Sequence, residues 1–313
     1  MTLAFVFPGQ GAQAVGMLDA FADNAQVQQV LTEADAALGE SLSGLIAQGP
    51  AETLALTVNT QPAMLVASYA CYAAWRAAGG PEPVAVAGHS LGEYTALTVA
   101  GALTLADAVP LVRTRAMAMQ DAVPVGVGSM AAILGLDDAT VEQACAKARE
   151  GYPGEMVDPA NFNAPAQVVI AGHKAAVERA CIEAKALGAK RALPLAVSAP
   201  FHSPLLKPAG DKLALALSAL KLNSPRFPVV NNIDVAAEVE PARIVDALIR
   251  QSYGPVRWVE VIRKLRQMGV THLIEFGPGK VLSGLAPRID KDLKASAVYD
   301  PTTLAAVLAE VRS

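Results

Sequence analysis

A short apolar run at residues 84–87, suited to a buried strand, passes directly into Gly88-His89-Ser90-Leu91-Gly92 and then into a helix-forming stretch that opens with Glu93-Tyr94. A chain changes from strand to helix over so few residues only through a sharp turn, and the flanking glycines supply the backbone freedom for it. The turn leaves the serine hydroxyl exposed at the carboxyl end of the strand and at the positive end of the next helix. G-x-S-x-G in this setting points to an acyl ester on Ser90 whose oxyanion is held in place. By itself the motif specifies serine acyl chemistry and nothing narrower.

The rest of the chain supplies the sheet that such a turn needs. Apolar, β-rich runs at residues 3–7, 84–87, 227–230 and 272–276 alternate with Ala/Leu-rich helical stretches, the pattern of a parallel sheet covered by helices. From residue 129 to 195 the rhythm becomes strand, helix, two strands, helix, strand, which predicts a ferredoxin-like βαββαβ unit. Turn-rich loops at residues 123–129 and 198–204 lead into it and out of it. The expected organisation is an α/β fold: a large α/β-hydrolase-like domain from residues 1–125 and 198–313, carrying the nucleophile turn, with a small domain at 126–197 inserted. An amphipathic helix is expected at 303–311.

Several classes of function are excluded by composition. Hydrophobic residues make up 53% of the 313, yet the most apolar stretch, residues 94–112, is broken by threonines, Asp107 and Pro110, so no spanning helix is predicted. The amino terminus lacks a charged start followed by a cleavable apolar run, and a cytoplasmic protein is expected. Cys71, Cys145 and Cys181 form neither a disulfide framework nor a zinc spacing and are taken as small buried residues. A net charge of -4 with interspersed signs leaves no footprint for nucleic acid, and an acidic partner must be met by a local basic patch.

A serine hydroxyl needs a base within hydrogen-bond reach. Of the four histidines, His89 sits in the turn itself and points away from Ser90, His173 lies at a turn in the small unit, and His272 opens a core strand. His202 sits between Pro200 and Pro204, where the chain re-enters the large domain, a rigid place from which to present a base.

Five motifs in order, Phe7-Pro8-Gly9-Gln10-Gly11-Ala12-Gln13, Gly88 through Tyr94, Arg115 with Met119-Gln120, Phe201-His202-Ser203, and Glu275-Phe276-Gly277-Pro278-Gly279-Lys280, span nearly the whole chain. Together they resemble the malonyl-CoA:acyl-carrier-protein transacylases of fatty-acid synthesis, relatives of polyketide-synthase acyltransferase domains. The resemblance implies a dyad with Ser90 as nucleophile and His202 as base, the histidine oriented by a main-chain carbonyl at Gln251. It places the oxyanion on the backbone N–H groups of Gln10 and Leu91, and Asn161 near the acyl pocket. It implies no metal or redox cofactor, malonyl-CoA and CoA being substrate and product.

Arg115 carries the substrate class, because a guanidinium grips a free carboxylate with two charge-assisted hydrogen bonds. Arg113 competes, but residues two apart on a helix point in well-separated directions, and the family match selects Arg115. Leu91 and Phe201 resemble malonyl-selective relatives, whose bulk leaves little room for a branched acyl group. Pro110 predicts a kink or a later start in the helix carrying Arg115. The GPGK loop is taken as structural. The implied partner is an acidic acyl carrier protein, expected to dock near Lys185, Lys190 and Arg191, with Arg263, Lys264 and Arg266 as a second patch, on a monomeric enzyme. A serine hydrolase would instead need an acid such as Asp121 or Asp158 behind His202. A malonyl-loading subunit of a malonate decarboxylase or a polyketide acyltransferase would share the chemistry and differ in acceptor.

Overall fold

The computed structural model describes residues 1–312. The chain opens with β1 (Leu3–Phe7) and continues through α1 (Ala25–Leu38), α2 (Leu42–Gln48), α3 (Ala51–Leu54) and the long α4 (Thr57–Ala77) to β2 (Ala85–Gly88). After the serine turn come α5 (Gly92–Val99) and α6 (Leu105–Asp121). A second unit then runs β3 (Gly128–Leu134), α7 (Asp138–Arg149), β4 (Val157–Ala164), β5 (Gln167–His173), α8 (Lys174–Ala186) and β6 (Arg191–Pro194). The chain returns through α9 (Lys207–Ser218), β7 (Val229–Val230), β8 (Ala237–Glu238), α10 (Pro241–Gln251), α11 (Trp258–Gln267), β9 (His272–Phe276), α12 (Val281–Ile289), β10 (Lys294–Val298) and α13 (Pro301–Arg312).

The large sheet has the order β10-β9-β1-β2-β7-β8, parallel throughout except for the antiparallel edge strand β8. Alternation along β1 shows why both faces must be covered. Leu3, Phe5 and Phe7 enter one apolar layer, with α4, α5 and α6, while Ala4 and Val6 enter the other, with α11 and α12. Phe5 packs edge-to-face on Tyr72, Trp75 and Phe276, with centroids 4.8 to 6.1 Å apart. The strand expected at 227–230 is only two residues long, because Pro228 has no N–H to give a ladder.

The small sheet is antiparallel in the order β4-β5-β3-β6, the ferredoxin-like arrangement expected. One face, with Ala131, Ile133, Val168 and Ile170, packs under α7 and α8. The other, with Met130, Ala160, Val169 and Ala171, packs on Met119, Phe201 and Leu206 of the large domain. Cys71 and Cys145 are buried as expected, whereas Cys181 is only half-buried on α8.

Candidate active site

Ser90 stands between β2 and α5 with φ 53°, in the left-handed region where a side chain is strained. Both glycines are steric requirements of the turn. A Cβ on Gly88 would lie 1.8 Å from the Gly92 carbonyl carbon, and one on Gly92 would lie 2.0 Å from the Phe7 carbonyl oxygen. The turn is therefore pressed against β1, and Ser90 is presented above the sheet.

Ser90 Oγ donates to His202 Nε2 at 2.6 Å. His202 is buried, also has a positive φ of 62°, and turns Nδ1 toward the main-chain carbonyls of Gln251 at 2.9 Å and Gly254 at 3.2 Å. Two acceptors there fix the proton on Nδ1 and leave the Nε2 lone pair facing the serine. Gln251 thus orients His202 through its main chain. Burial, reinforced by the positive charge of Arg115, pushes the His202 pKa down to about 3, so the ring is neutral and able to accept a proton. The acids that a hydrolase triad would need are engaged elsewhere: Asp121 pairs with Lys212 and Asp158 with Arg149.

Arg115 is delivered by α6, whose start is capped by the Thr104 hydroxyl accepting the Asp107 N–H at 3.0 Å. Pro110 does not delay that start. It falls in the second turn, removes one helical N–H, and the helix runs on to Asp121. Arg115 is 2% exposed and donates to Gln61 Oε1 at 2.6 Å, Gln251 Oε1 at 3.1 Å and Ser90 Oγ at 3.2 Å. Its guanidinium lies 5.3 Å from the Tyr94 ring centroid and, among the described residues, forms no ion pair. Arg113 faces away and pairs with Glu40.

A cavity of about 360 Å³ opens beside these groups, lined among others by Gln10, Leu91, Arg115, Asn161, Phe201 and His202. The backbone N–H groups of Gln10 and Leu91 have no hydrogen-bond partner among the described residues. Asn161 lies at a register shift in β4 and is itself bridged to Val256. His89 turns from Ser90, donating from Nε2 to Asn163 Oδ1 at 2.8 Å, with its ring 5.5 Å from that of Trp258. His173 accepts the Met156 N–H and His272 is wholly buried in β9. Glu275, in the GPGK segment, accepts the Leu282 and Ser283 N–H groups at 3.0 and 2.8 Å, which anchors the start of α12.

Four site residues escaped the sequence analysis. Gln61 holds Arg115 and Asn163 holds His89. Asn232 accepts the Ser90 N–H, and Glu93, 2% exposed, accepts from Asn232 N and Gln251 Nε2 at 2.9 and 3.0 Å. Burial pushes the Glu93 pKa up to about 7. None of the four left a signal in the sequence, and Gln61 sits beside the polar residues Asn59 and Thr60 in the first turns of α4.

A serine on a strained turn, a neutral histidine held by carbonyls and a small lined cavity define a serine–histidine acyl-transfer enzyme built on an α/β-hydrolase-like domain with an inserted small one. The acyl transferase domain matches residues 4–287. The chain is 55% identical over 306 residues to the malonyl CoA-acyl carrier protein transacylase of Escherichia coli strain K12, covering 97% of this chain and 98% of that one. An acyl-carrier-protein S-malonyltransferase from Burkholderia pseudomallei 1710b superposes with a TM-score of 0.96 at 61% identity, covering 99% of this chain and 100% of that one. A malonyl-transacylase solved in complex with its type II PKS acyl-carrier protein superposes with a TM-score of 0.96 at 48% identity, again covering 99% and 100%. The chain belongs to the malonyl-CoA:acyl-carrier-protein transacylase family of acyltransferases.

Proposed function

We propose that the protein moves a malonyl group from malonyl-CoA to the phosphopantetheine thiol of an acyl carrier protein through an ester on Ser90, the step that supplies fatty-acid synthesis. The observation that carries this reading is Arg115. A guanidinium taken out of water without a carboxylate partner is costly, and here it lies 3.2 Å from the nucleophile, where the free carboxylate of a malonyl group would complete it. In the first half-reaction the Ser90 hydroxyl passes its proton to His202 Nε2 as Oγ attacks the thioester carbonyl, and the Gln10 and Leu91 N–H groups receive the oxyanion. The carbon–sulfur bond breaks, and CoA leaves with the proton from His202. In the second half-reaction the carrier thiol gives its proton to His202, attacks the ester and releases Ser90. Leu91, Phe201 and Asn161 bound the space for the acyl group.

Incubation with malonyl-CoA or acetyl-CoA without acceptor, followed by intact mass spectrometry, tests the reading. A malonyl adduct is expected on the wild type and not on Ser90→Ala, with the preference shifted to acetyl in Arg115→Ala. Free malonate without an adduct would instead indicate a hydrolase.

We place the carrier at Lys185, Lys190 and Arg191 of a cytoplasmic monomer. Lys190 and Arg191 are exposed at the outer edge of the small sheet, and a few residues on, Leu195 and Val197 line the cavity. The second patch is weaker, because Arg266 is held by Asp290. Reversing Lys190 and Arg191 to glutamate is expected to raise the carrier KM several-fold at low salt while the KM for malonyl-CoA holds. An unchanged carrier KM would move the docking surface elsewhere, and a sedimentation experiment showing a dimer would end the monomer assignment.

A further inference from the structure

We infer that Asn232 is a positioning residue for the nucleophile, its carboxamide bracing the serine turn so that Ser90 keeps its strained backbone and Leu91, not Ser90, turns its N–H to the reacting oxygen. The inference rests on the assignment of Ser90 as nucleophile. Asn232 follows β7 and is fully buried. Its Oδ1 accepts the Ser90 N–H at 2.7 Å, and its Nδ2 donates to the Gly88 carbonyl at 2.7 Å. One planar group therefore spans the turn from the last strand residue to the serine, tying both ends to a fixed length. The Asn232 main chain is anchored in turn, its N–H donating to Glu93 Oε2 at 2.9 Å and its carbonyl accepting the Arg257 N–H at 3.2 Å. Gln251 Nε2 closes the loop, donating to the Ser90 carbonyl at 2.9 Å and to Glu93 Oε2 at 3.0 Å.

Two consequences for the chemistry follow. A serine at φ 53° is strained and persists because the surroundings hold it, and here Asn232 takes its N–H while Gln251 Nε2 and the Glu93 N–H take its carbonyl. With its own N–H occupied, Ser90 offers nothing to the oxyanion, whereas the Leu91 N–H has no partner among the described residues. The bracing requires one acceptor and one donor on a single planar group, which an amide supplies and an ionised carboxylate does not.

That requirement gives a test a merely structural residue would not pass. In Asn232→Asp the protonated side chain has the same pair, a carbonyl for the Ser90 N–H and a hydroxyl for the Gly88 oxygen. The ionised form sets a charged oxygen against that carbonyl. The groups facing the position are Glu93 from α5, Asp234 along the same loop, Arg115 and His202 across Gln251, and Arg257 at the start of α11. Burial and the neighbouring Glu93 both hold an aspartate there toward its neutral form. Activity of the variant relative to the wild type, taken at each pH so that Glu93 and His202 cancel, is therefore expected to be about 10²-fold down near pH 8, with KM for malonyl-CoA little changed, and to recover at least several-fold by about pH 5.5.

The experiment measures the burst of Ser90 malonyl ester by intact mass spectrometry in wild type, Asn232→Asp and Asn232→Ser, with thermal unfolding of each. A wild type that forms no ester removes the Ser90 assignment itself. A wild type that forms it while folded Asn232→Asp keeps the wild-type rate, or shows a loss that is the same at every pH, overturns the role of Asn232. Should the aspartate variant not fold, Asn232→Ser decides. Its hydroxyl is too short to span both groups, so a fall in kcat at near-constant KM supports the bracing and wild-type kcat overturns it.

Discussion

Two influences hold the His202 ring neutral, and a third fixes which nitrogen carries its proton. Burial and the cation of Arg115 disfavour the imidazolium, and the two carbonyls at Nδ1 keep the remaining proton off Nε2. Because its pKa in the folded protein lies near 3 rather than the ordinary 6.5, the acid limb of kcat/KM for malonyl-CoA should fall well below pH 6.5, and a rate profile from pH 4 to 8 checks it. The same shift affects stability. The unfolded chain binds the proton more readily, so stability present above pH 6.5 is lost as pH falls toward 3, at about 1.4 kcal/mol per unit of separation. His202→Gln lacks this loss, and its Tm relative to the wild type should rise steadily on acidification through that window. A constant Tm difference would mean that His202 titrates normally. That Ser90, His202 and Arg115 meet was legible because each sits in a motif whose residue types suit acyl transfer. Asn232, Glu93 and Gln61 were not, because a buried amide or acid is defined by the partners folding brings to it, and Asn232 meets Ser90 across 142 residues of chain.

At the scale of the element, the serine turn is governed by clearance more than by propensity. Gly92 begins α5 directly against β1, and a methyl group there has only 2.0 Å to the Phe7 carbonyl oxygen, a backbone atom that cannot swing aside. Gly92→Ala should force strand and helix apart and destabilise by more than about 4 kcal/mol in urea unfolding, or leave the protein insoluble. Thr104→Ala, which removes only the cap of α6, should cost about 1 kcal/mol and serves as the control. Equal losses for the two would show that the turn has slack. The strands around this turn were legible from their apolar runs, and the pattern of the small unit from its alternation of strand and helix. The small effect of Pro110 on α6 was not, because a proline weighs against a helix locally, while the Thr104 cap and an apolar face buried against α4 override one missing N–H.

For the whole molecule, the question is whether the inserted domain is a moving lid or a fixed wall. The way its second sheet face closes over the first domain was not legible in the sequence, since that contact joins residues 118–123 and 199–209 to strands between them and only folding brings these together. The structure favours a wall. The face bearing Met130, Ala160, Val169 and Ala171 shares one apolar cluster with Met119, Phe201 and Leu206. Beside it β4 is stitched to the segment before α11 by two backbone bonds, Phe162 N–H to the Val256 carbonyl and Val256 N–H to the Ala160 carbonyl, each 2.9 Å. A packed apolar interface with paired backbone groups opens only at a free-energy cost near that of unfolding the elements concerned. The loops at residues 123–127 and 195–198 have, among the described residues, no backbone bond of this kind to the large domain, their longer-range ones being Lys174 N–H to the Val127 carbonyl and Leu195 N–H to the Met130 carbonyl within the small one, and Leu195 and Val197 of the second line the cavity. In hydrogen exchange the Phe162 and Val256 amides should therefore be protected together with β1 and β2, and malonyl-CoA should slow exchange in the two loops while leaving those amides unchanged. If instead Phe162 and Val256 exchange as fast as the loops and gain protection on adding malonyl-CoA, the small domain hinges, and substrate is enclosed by rotation of the whole unit.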